Sequence, residues 1–356
     1  MHPRKAHVAS ALLAAFLTIV SIIGLIGCGT TSAVTSPMPS LPSTTATSNV
    51  ATGAVLGYAW DQSAAGLRPI LGVPGAAQFG SPVFGGAGYN SARACPGKKF
   101  ALLTNSSGQA SIAPLPSGVP VQIADHLSAK EQIAISPSCS AALLYASGSS
   151  SAVLVQGLPA SPKAQSLDLS QAGAVTSAVV SDTGLVLVAS GQTAGAVSVQ
   201  AVSADGTAMQ VTTVAGLGGM AFLPSSQNAL IGDTGRSTIW LASSLPASTS
   251  LNRVATSSDG VTQPTAVASS SDGRWLIVAN QNGASILRLD LTRQSAPAQV
   301  ACNCTATKLA PLTGNSTFLL SDLTSGPLWT FDGDSPSPRI LFIPAVKSSS
   351  AAGVTR

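Results

Sequence analysis

The stretch Ser271-Asp272-Gly273-Arg274-Trp275-Leu276-Ile277-Val278-Ala279-Asn280 decides the fold, together with Ser285-Ile286-Leu287-Arg288-Leu289-Asp290 that follows it. Asp-Gly marks a tight turn, because glycine takes a positive φ at no steric cost. The apolar run from Trp275 to Ala279 reads as a strand buried on both faces by its neighbours. Asn280 can bond its own backbone and start the next turn, and Gly283 supplies the positive φ that a hairpin needs. The second run then returns as the adjacent strand.

The same unit recurs on either side of this stretch. Apolar runs end at Asn105, Ser147, Ser190, Asp233, Asn280 and Asp322, and glycine follows each at Gly108, Gly148, Gly191, Gly235, Gly283 and Gly326. The closing residues are 42–47 positions apart, the length of a four-stranded propeller blade. Each turn is followed by a second strand and, after a polar loop, by a third such as Ala298-Gln299-Val300-Ala301. Small-residue segments precede the runs, clearest at Gly219–Phe222 and Thr265–Ala268, and suit a crowded central axis. Each unit therefore has four strands, A to D. Six full units fit between residues 87 and 346. Ahead of them, Val55–Trp60 and Leu67–Leu71 resemble strands C and D of another blade. Their partners A and B would follow residue 346, where Lys347-Ser348-Ser349-Ser350-Ala351-Ala352-Gly353 does not read as such a pair. The expectation is an all-β propeller of six or seven blades over residues 53–347, with a β-sandwich as the rival architecture.

Ser271–Asn280 with Ser285–Asp290 resembles the YVTN-type propeller repeat of secreted and surface bacterial proteins. Gly184–Ser190 matches it in part, whereas Ser138-Cys139 and Ser226-Gln227 stand where Asp-Gly would be. The resemblance implies architecture. The wider group includes lactonase-like propellers, quinone-dependent dehydrogenases and pure binding modules, so it selects no activity.

The N-terminus carries an address. Arg4 and Lys5 precede an apolar run from Val8 to Ile26, and Gly27 stands before Cys28. This is signal-peptide anatomy, and Leu25-Ile26-Gly27-Cys28 resembles a bacterial lipobox. The resemblance implies removal of residues 1–27 and a diacylglycerol thioether on Cys28. The chain would then sit on a membrane of the cell envelope, the outer membrane or cell surface before the inner membrane. A transmembrane anchor or an ordinary secretory signal are the competing readings. Residues 28–52 form a Ser/Thr/Pro-rich tether whose side chains are uncharged, and residues 348–356 read as a disordered tail.

Composition narrows the chemistry. Charged residues are 8% of the chain and the net charge is +4. Lysine and arginine do not cluster, so nucleic acid is not an expected partner. His126 is the sole histidine beyond the leader and Glu131 the sole glutamate. A histidine-rich metal site is excluded, any Ser-His-Asp triad would have to use His126, and no cofactor or metal is expected. Asp125-His126 reads as a solvated loop ahead of an acid/base pair. Asp233 and Asp322 read as turn caps, Asp272 and Asp290 as repeat positions, and Trp240, Trp275 and Trp329 as packing between blades. Arg93, Lys130, Gln132, Gln263 and Lys308 fall on or beside strands A, which line the central channel and one mouth. They are the candidate ligand residues.

Four cysteines remain besides Cys28, which suits disulfides in an exported chain. Cys95 and Cys139 lie near A–B turns of consecutive units, with repeat positions differing by one residue, and can bridge. Cys302 and Cys304 sit in a D-to-A connection and can form a short loop staple, with a redox or metal site as the competing reading. The functional expectation is a non-catalytic binding or scaffold module for a protein or glycan partner at the envelope. The alternatives are a lactonase-like hydrolase at the channel mouth and an outer-membrane assembly scaffold.

Overall fold

The computed structural model describes residues 53–345, except 87, 125–130, 192–194, 294 and 325. Cys28, the tether, Asp125, His126, Lys130 and residues 346–356 lie outside the described residues.

The decisive stretch forms two antiparallel strands. Trp275 pairs with Asp290 at one end and Asn280 with Ser285 at the turn. Pro264–Ser269 pairs on the inner side of this hairpin and Ala298–Ala301 on the outer side, giving strand order A-B-C-D. Five other four-stranded sheets repeat that order, over residues 89–124, 131–168, 175–214, 217–255 and 310–343. A three-stranded sheet precedes them, built from Val55–Asp61, Gly66–Val73 and Ala76–Phe79. The chain is a seven-bladed β-propeller, which resolves the choice between six and seven.

Strands B are the hidden ones, because sheets lie against both of their faces. Every residue of Ala229–Asp233 is buried, as are Ala141–Tyr145. Packing runs from blade to blade. Leu185 and Leu187 of blade 4 share one cluster with Met220 and Phe222 of blade 5, and Ile277 of blade 6 shares another with Phe318 and Phe331 of blade 7. Each large apolar side chain hidden this way contributes about 1.5–3 kcal/mol. Trp275 and Trp329 pack against the blade 6–7 cluster and Trp240 against the blade 4–5 cluster, the inter-blade role their sequence context indicated.

The closing residues do more than start their own turns. Asn105 Oδ1 accepts the N–H groups of Ser107 (3.1 Å) and Gln109 (3.0 Å) within its turn. Asn280 instead clamps the incoming D-to-A connection. Its Oδ1 accepts Thr262 N–H at 2.9 Å, and its Nδ2 donates to Gly260 O at 3.0 Å. Asp233 does both, accepting Ala215 N–H (3.3 Å) and Arg236 N–H (3.0 Å) and pairing with the Arg236 guanidinium.

Blade 1 differs from expectation. Val55–Trp60 and Leu67–Leu71 are strands B and C, with Ala76–Phe79 as D, and not strands C and D. Asp61 supplies the reason. Its Oδ1 accepts Ser63 N–H (2.9 Å) and Ala64 N–H (3.2 Å), and it pairs with Arg68. Four residues on, Ala65 has φ 43°, as Ser237 (47°) stands four after Asp233 and Ala284 (35°) four after Asn280. Asp61 is therefore the residue that closes a strand B. The ring closes where blade 7 packs on blade 1, with Leu56 and Ile70 against Leu312 and Leu328. Thr313 N–H also donates to Leu56 O at 2.8 Å.

The A–B turns are laced across blades. Asp182 in blade 4 accepts Ser138 N–H of blade 3 (2.8 Å) and Ser225 N–H of blade 5 (3.0 Å). Asp272 and Asn315 do the same between blades 6 and 7, through Asn315 Nδ2 to Asp272 Oδ2 at 2.9 Å and Asp272 N–H to Asn315 Oδ1 at 3.0 Å. A Cys95–Cys139 disulfide joins the turns of blades 2 and 3, with Cα atoms 6.1 Å apart. The two cysteines stand three turn positions apart, not one. Cys95 O accepts Lys98 N–H as Ser136 O accepts Cys139 N–H. Cys139 (φ 62°) thus occupies the left-handed site that Gly184 and Gly273 fill in blades 4 and 6. Cys302 and Cys304 are also bridged, with Cα atoms 5.0 Å apart.

Candidate functional site

Strands A surround the axis, and the space between them is a cavity of about 570 Å³. Its wall has an apolar side, with Val179, Met220 and Val267 of blades 4 to 6, and a polar side spread over blades 1, 2, 3 and 7. The polar side holds Tyr58, Trp60, Ser91, Arg93, Gln132, Lys308 and Asp322. Three of the five sequence candidates, Arg93, Gln132 and Lys308, are therefore brought together from three blades. Gln263 is not in the lining. It stands in the connection into blade 6, where its N–H donates to Ser237 Oγ at 3.1 Å and its carbonyl accepts Gln281 N–H at 3.1 Å. Lys130 lies outside the described residues.

Arg93 is on strand A of blade 2, opposite Leu102 of strand B. Its side chain is solvent-exposed and lines the open lumen of the channel, inside the ring of strands. Desolvation inside the ring pushes it below the ordinary guanidinium value, while Tyr145 and Asp322 act in the opposite sense. It stays a cation regardless. It has no hydrogen-bond or ion-pair partner among the described residues. Lys308, by contrast, is paired with Asp322. The two cations of the wall are thus unequal: one is neutralised locally and the other is free.

Asp322 corrects the turn-cap reading. In blade 7, Leu319 pairs with Thr330 and Leu320 N–H reaches Trp329 O, so the strand pairing ends before Asp322. The residue is left exposed on the channel wall beside Lys308. Asp290 remains a structural residue. Arg274 donates to its Oδ2 through Nε (3.0 Å) and Nη2 (2.8 Å), and this fork holds the carboxyl far below the usual range. Tyr58 and Trp60 were not legible as site residues, because they lie in a segment with few neighbours in sequence that share its pattern. Burial pushes the Tyr58 phenol above its ordinary value. Among the described residues, histidine, cysteine, aspartate and glutamate nowhere gather in threes that could hold a metal ion.

A free guanidinium in a partly apolar cavity is suited to a planar acceptor. It presents a fork of N–H donors that carboxylate, sulfate or phosphate oxygens match in pairs. Gln132 adds an amide, and Tyr58 and Trp60 offer aromatic surface.

Solved structures of the same architecture are similar to this chain. A functionally unknown protein from Desulfotomaculum acetoxidans DSM 771 superposes with TM-score 0.51 at 15% identity, over 83% of this chain and 96% of that one. A streptogramin B lyase gives 0.52 at 12% identity, over 73% and 84%. Virginiamycin B lyase from Staphylococcus aureus gives 0.50 at 10% identity, over 72% and 84%. At such identities the likeness is one of fold. Comparison of the sequence with family models and with curated proteins returns no match.

Proposed function

We propose that the chain is a lipid-anchored, extracytoplasmic propeller that acts as a non-catalytic binding module for a protein or glycan partner at the cell envelope. The partner is held by an anionic group seated at Arg93. One observation carries this reading: Arg93 lines the channel from strand A of blade 2 and has no hydrogen-bond or ion-pair partner among the described residues. Such a group gains most from a ligand that brings the missing charge. In this reading Cys28 bears the lipid, residues 29–52 lift the propeller off the membrane, and the repeat belongs with the YVTN type. A hydrolase or lyase would need a proton acceptor free to act, and among the described residues of the wall the one carboxylate, Asp322, is paired with Lys308. The test is crosslinking and recovery of the native protein from its own envelope. A specific partner should be recovered with the unaltered chain and lost with Arg93→Ala. Recovery of nothing above background, or turnover of a lactone panel by the purified chain, would overturn the reading.

A further inference from the structure

Six large apolar side chains are exposed among the described residues, and five of them stand on three consecutive blades. Val55 and Val73 belong to blade 1, Val119 and Val121 to blade 2, and Phe342 to blade 7, while Met209 of blade 4 is the sixth. Blade 1 joins the other two: Leu56 shares a cluster with Leu328 of blade 7, and Leu67 shares one with Leu103 of blade 2. Val73 ends strand C of blade 1, and a Cβ on Gly75 in the turn after it would stand 3.9 Å from Leu341, the residue before Phe342. Phe342 lies on the outermost strand of blade 7, edge-on to Trp329 with ring centroids 6.0 Å apart. In blade 2, Leu115 N–H donates to Lys99 O at 2.8 Å, so the turn bearing Lys98 and Lys99 lies against the loop bearing Val119. Both lysines are exposed, with no ion-pair partner among the described residues, and residues 89–124 of blade 2 include no acidic side chain. Across the ring, the corresponding C–D loop of blade 4 carries the exposed Asp205 instead.

We infer that this rim of blades 7, 1 and 2 rests on a lipid bilayer with an anionic headgroup layer. The valines and Phe342 enter the interface, and Lys98 and Lys99 meet the headgroups. A surface that lies on a membrane needs both kinds of side chain, because the acyl boundary takes the apolar groups and the phosphates take the ammonium groups. Exposed apolar side chains scattered singly need no explanation, whereas a gathering of them on one part of a surface marks a contact. The path of the chain names the occupant. Gly72 N–H donates to Ala54 O at 2.8 Å, so the chain enters the ring at the corner where Val55 and Val73 are exposed. Cys28, which bears the lipid in the function proposed above, is joined to that corner through residues 29–52. A ring held by that anchor meets the membrane with the blades nearest its point of entry, and these are the blades that carry the apolar rim and the lysines. The inference rests on the anchor for its occupant, and it adds which part of the ring the membrane touches.

Fluorescence quenching by brominated lipid tests it. The protein isolated from its own envelope is reconstituted in vesicles of phosphatidylethanolamine and phosphatidylglycerol whose acyl chains carry bromine near the headgroup. Val73→Trp and Met209→Trp each add one exposed tryptophan to the four already present. The added emission of Val73→Trp should be quenched at least about twofold more than that of Met209→Trp. That excess should shrink when Lys98 and Lys99 are both replaced by glutamate. Equal quenching at the two positions overturns the proposal, as does an excess that the lysine changes leave untouched. So does a dimer in detergent that Val73→Asp dissociates, which would put a second copy of the chain on the rim. Failure of the anchor reads out separately, as a Cys28 without a lipid adduct in the mass spectrum. Chain of that kind is added to the same vesicles, and the same comparison decides.

Discussion

Removing the Asp182 carboxylate should loosen three blades at once. Asp182→Ala deletes the acceptor that holds Ser138 N–H at 2.8 Å and Ser225 N–H at 3.0 Å, each on a different blade. A hydrogen bond to a charged group contributes about 1.5–3 kcal/mol. Both N–H groups lie near the surface, where water can replace the lost acceptor, so the low end applies and the sum is about 2–3 kcal/mol. At roughly 2–4 °C per kcal/mol for a chain of this size, the thermal midpoint should fall by about 4–12 °C. Asp205→Ala is the internal control. Asp205 accepts Thr207 N–H at 3.0 Å within its own exposed turn, and its loss should stay within about 0.5 kcal/mol. The effect should also depend on pH. Partial burial pulls the Asp182 carboxyl up, but the bonds from Ser138 and Ser225 outweigh it and hold it below the ordinary value. A depressed carboxylate stabilises the fold above its unfolded pKa, about 3.9, and loses that contribution as pH falls through the folded value. The gap between Asp182→Ala and the unaltered chain should be full at pH 7 and close below about pH 4. Thermal unfolding followed by circular dichroism at both pH values decides it. An Asp182→Ala midpoint no lower than that of Asp205→Ala, or a gap that persists unchanged at pH 3, refutes the lacing argument.

Three further outcomes are expected. Asp233→Ala removes a fully buried carboxylate and strands Ala215 N–H, and should cost about 2–4 kcal/mol in urea unfolding. Replacing Cys95 and Cys139 together by serine opens a loop with a sequence separation of 44 and should cost about 4 kcal/mol, with no further loss when reductant is added if Cys302–Cys304 contributes nothing to the ring. Cys28→Ser should abolish lipid labelling and move the chain from the membrane fraction to the soluble one, and retention at the membrane would favour a transmembrane anchor.

Particular residues show how far the sequence could be read. Trp275–Asn280 was legible because its message is local: an apolar run hidden on both faces, a polar closing residue, and a glycine turn. Asp61 obeys the same rule, but no glycine-bearing copy precedes it to fix the count, so its strand resembles a strand C in sequence. Asp322 fits the spacing of the closing residues by number, but the strand pairing of blade 7 stops short of it. Its role is set by Lys308, a contact that no periodicity encodes. Arg93, Gln132 and Lys308 were marked because strands A face the axis, and Gln263 was marked for the same reason. Gln263 instead stands in the connection into blade 6, its backbone held by Ser237 and Gln281.

By itself, then, the sequence determined that the chain repeats, that each repeat is a four-stranded unit, and that Asn105, Asp233 and Asn280 close strand B in blades 2, 5 and 6. Those are properties of segments of about six residues, whose burial pattern and turn chemistry are local. Only the tertiary structure decided that there are seven blades, that the first begins with strand B among the described residues, that Asp182 ties three turns together, and that Lys308 is paired with Asp322 while Arg93 has no such partner among the described residues. Those depend on which side chains the closure of the ring brings within a few ångströms of each other, across separations of 14 to more than 200 residues in the chain.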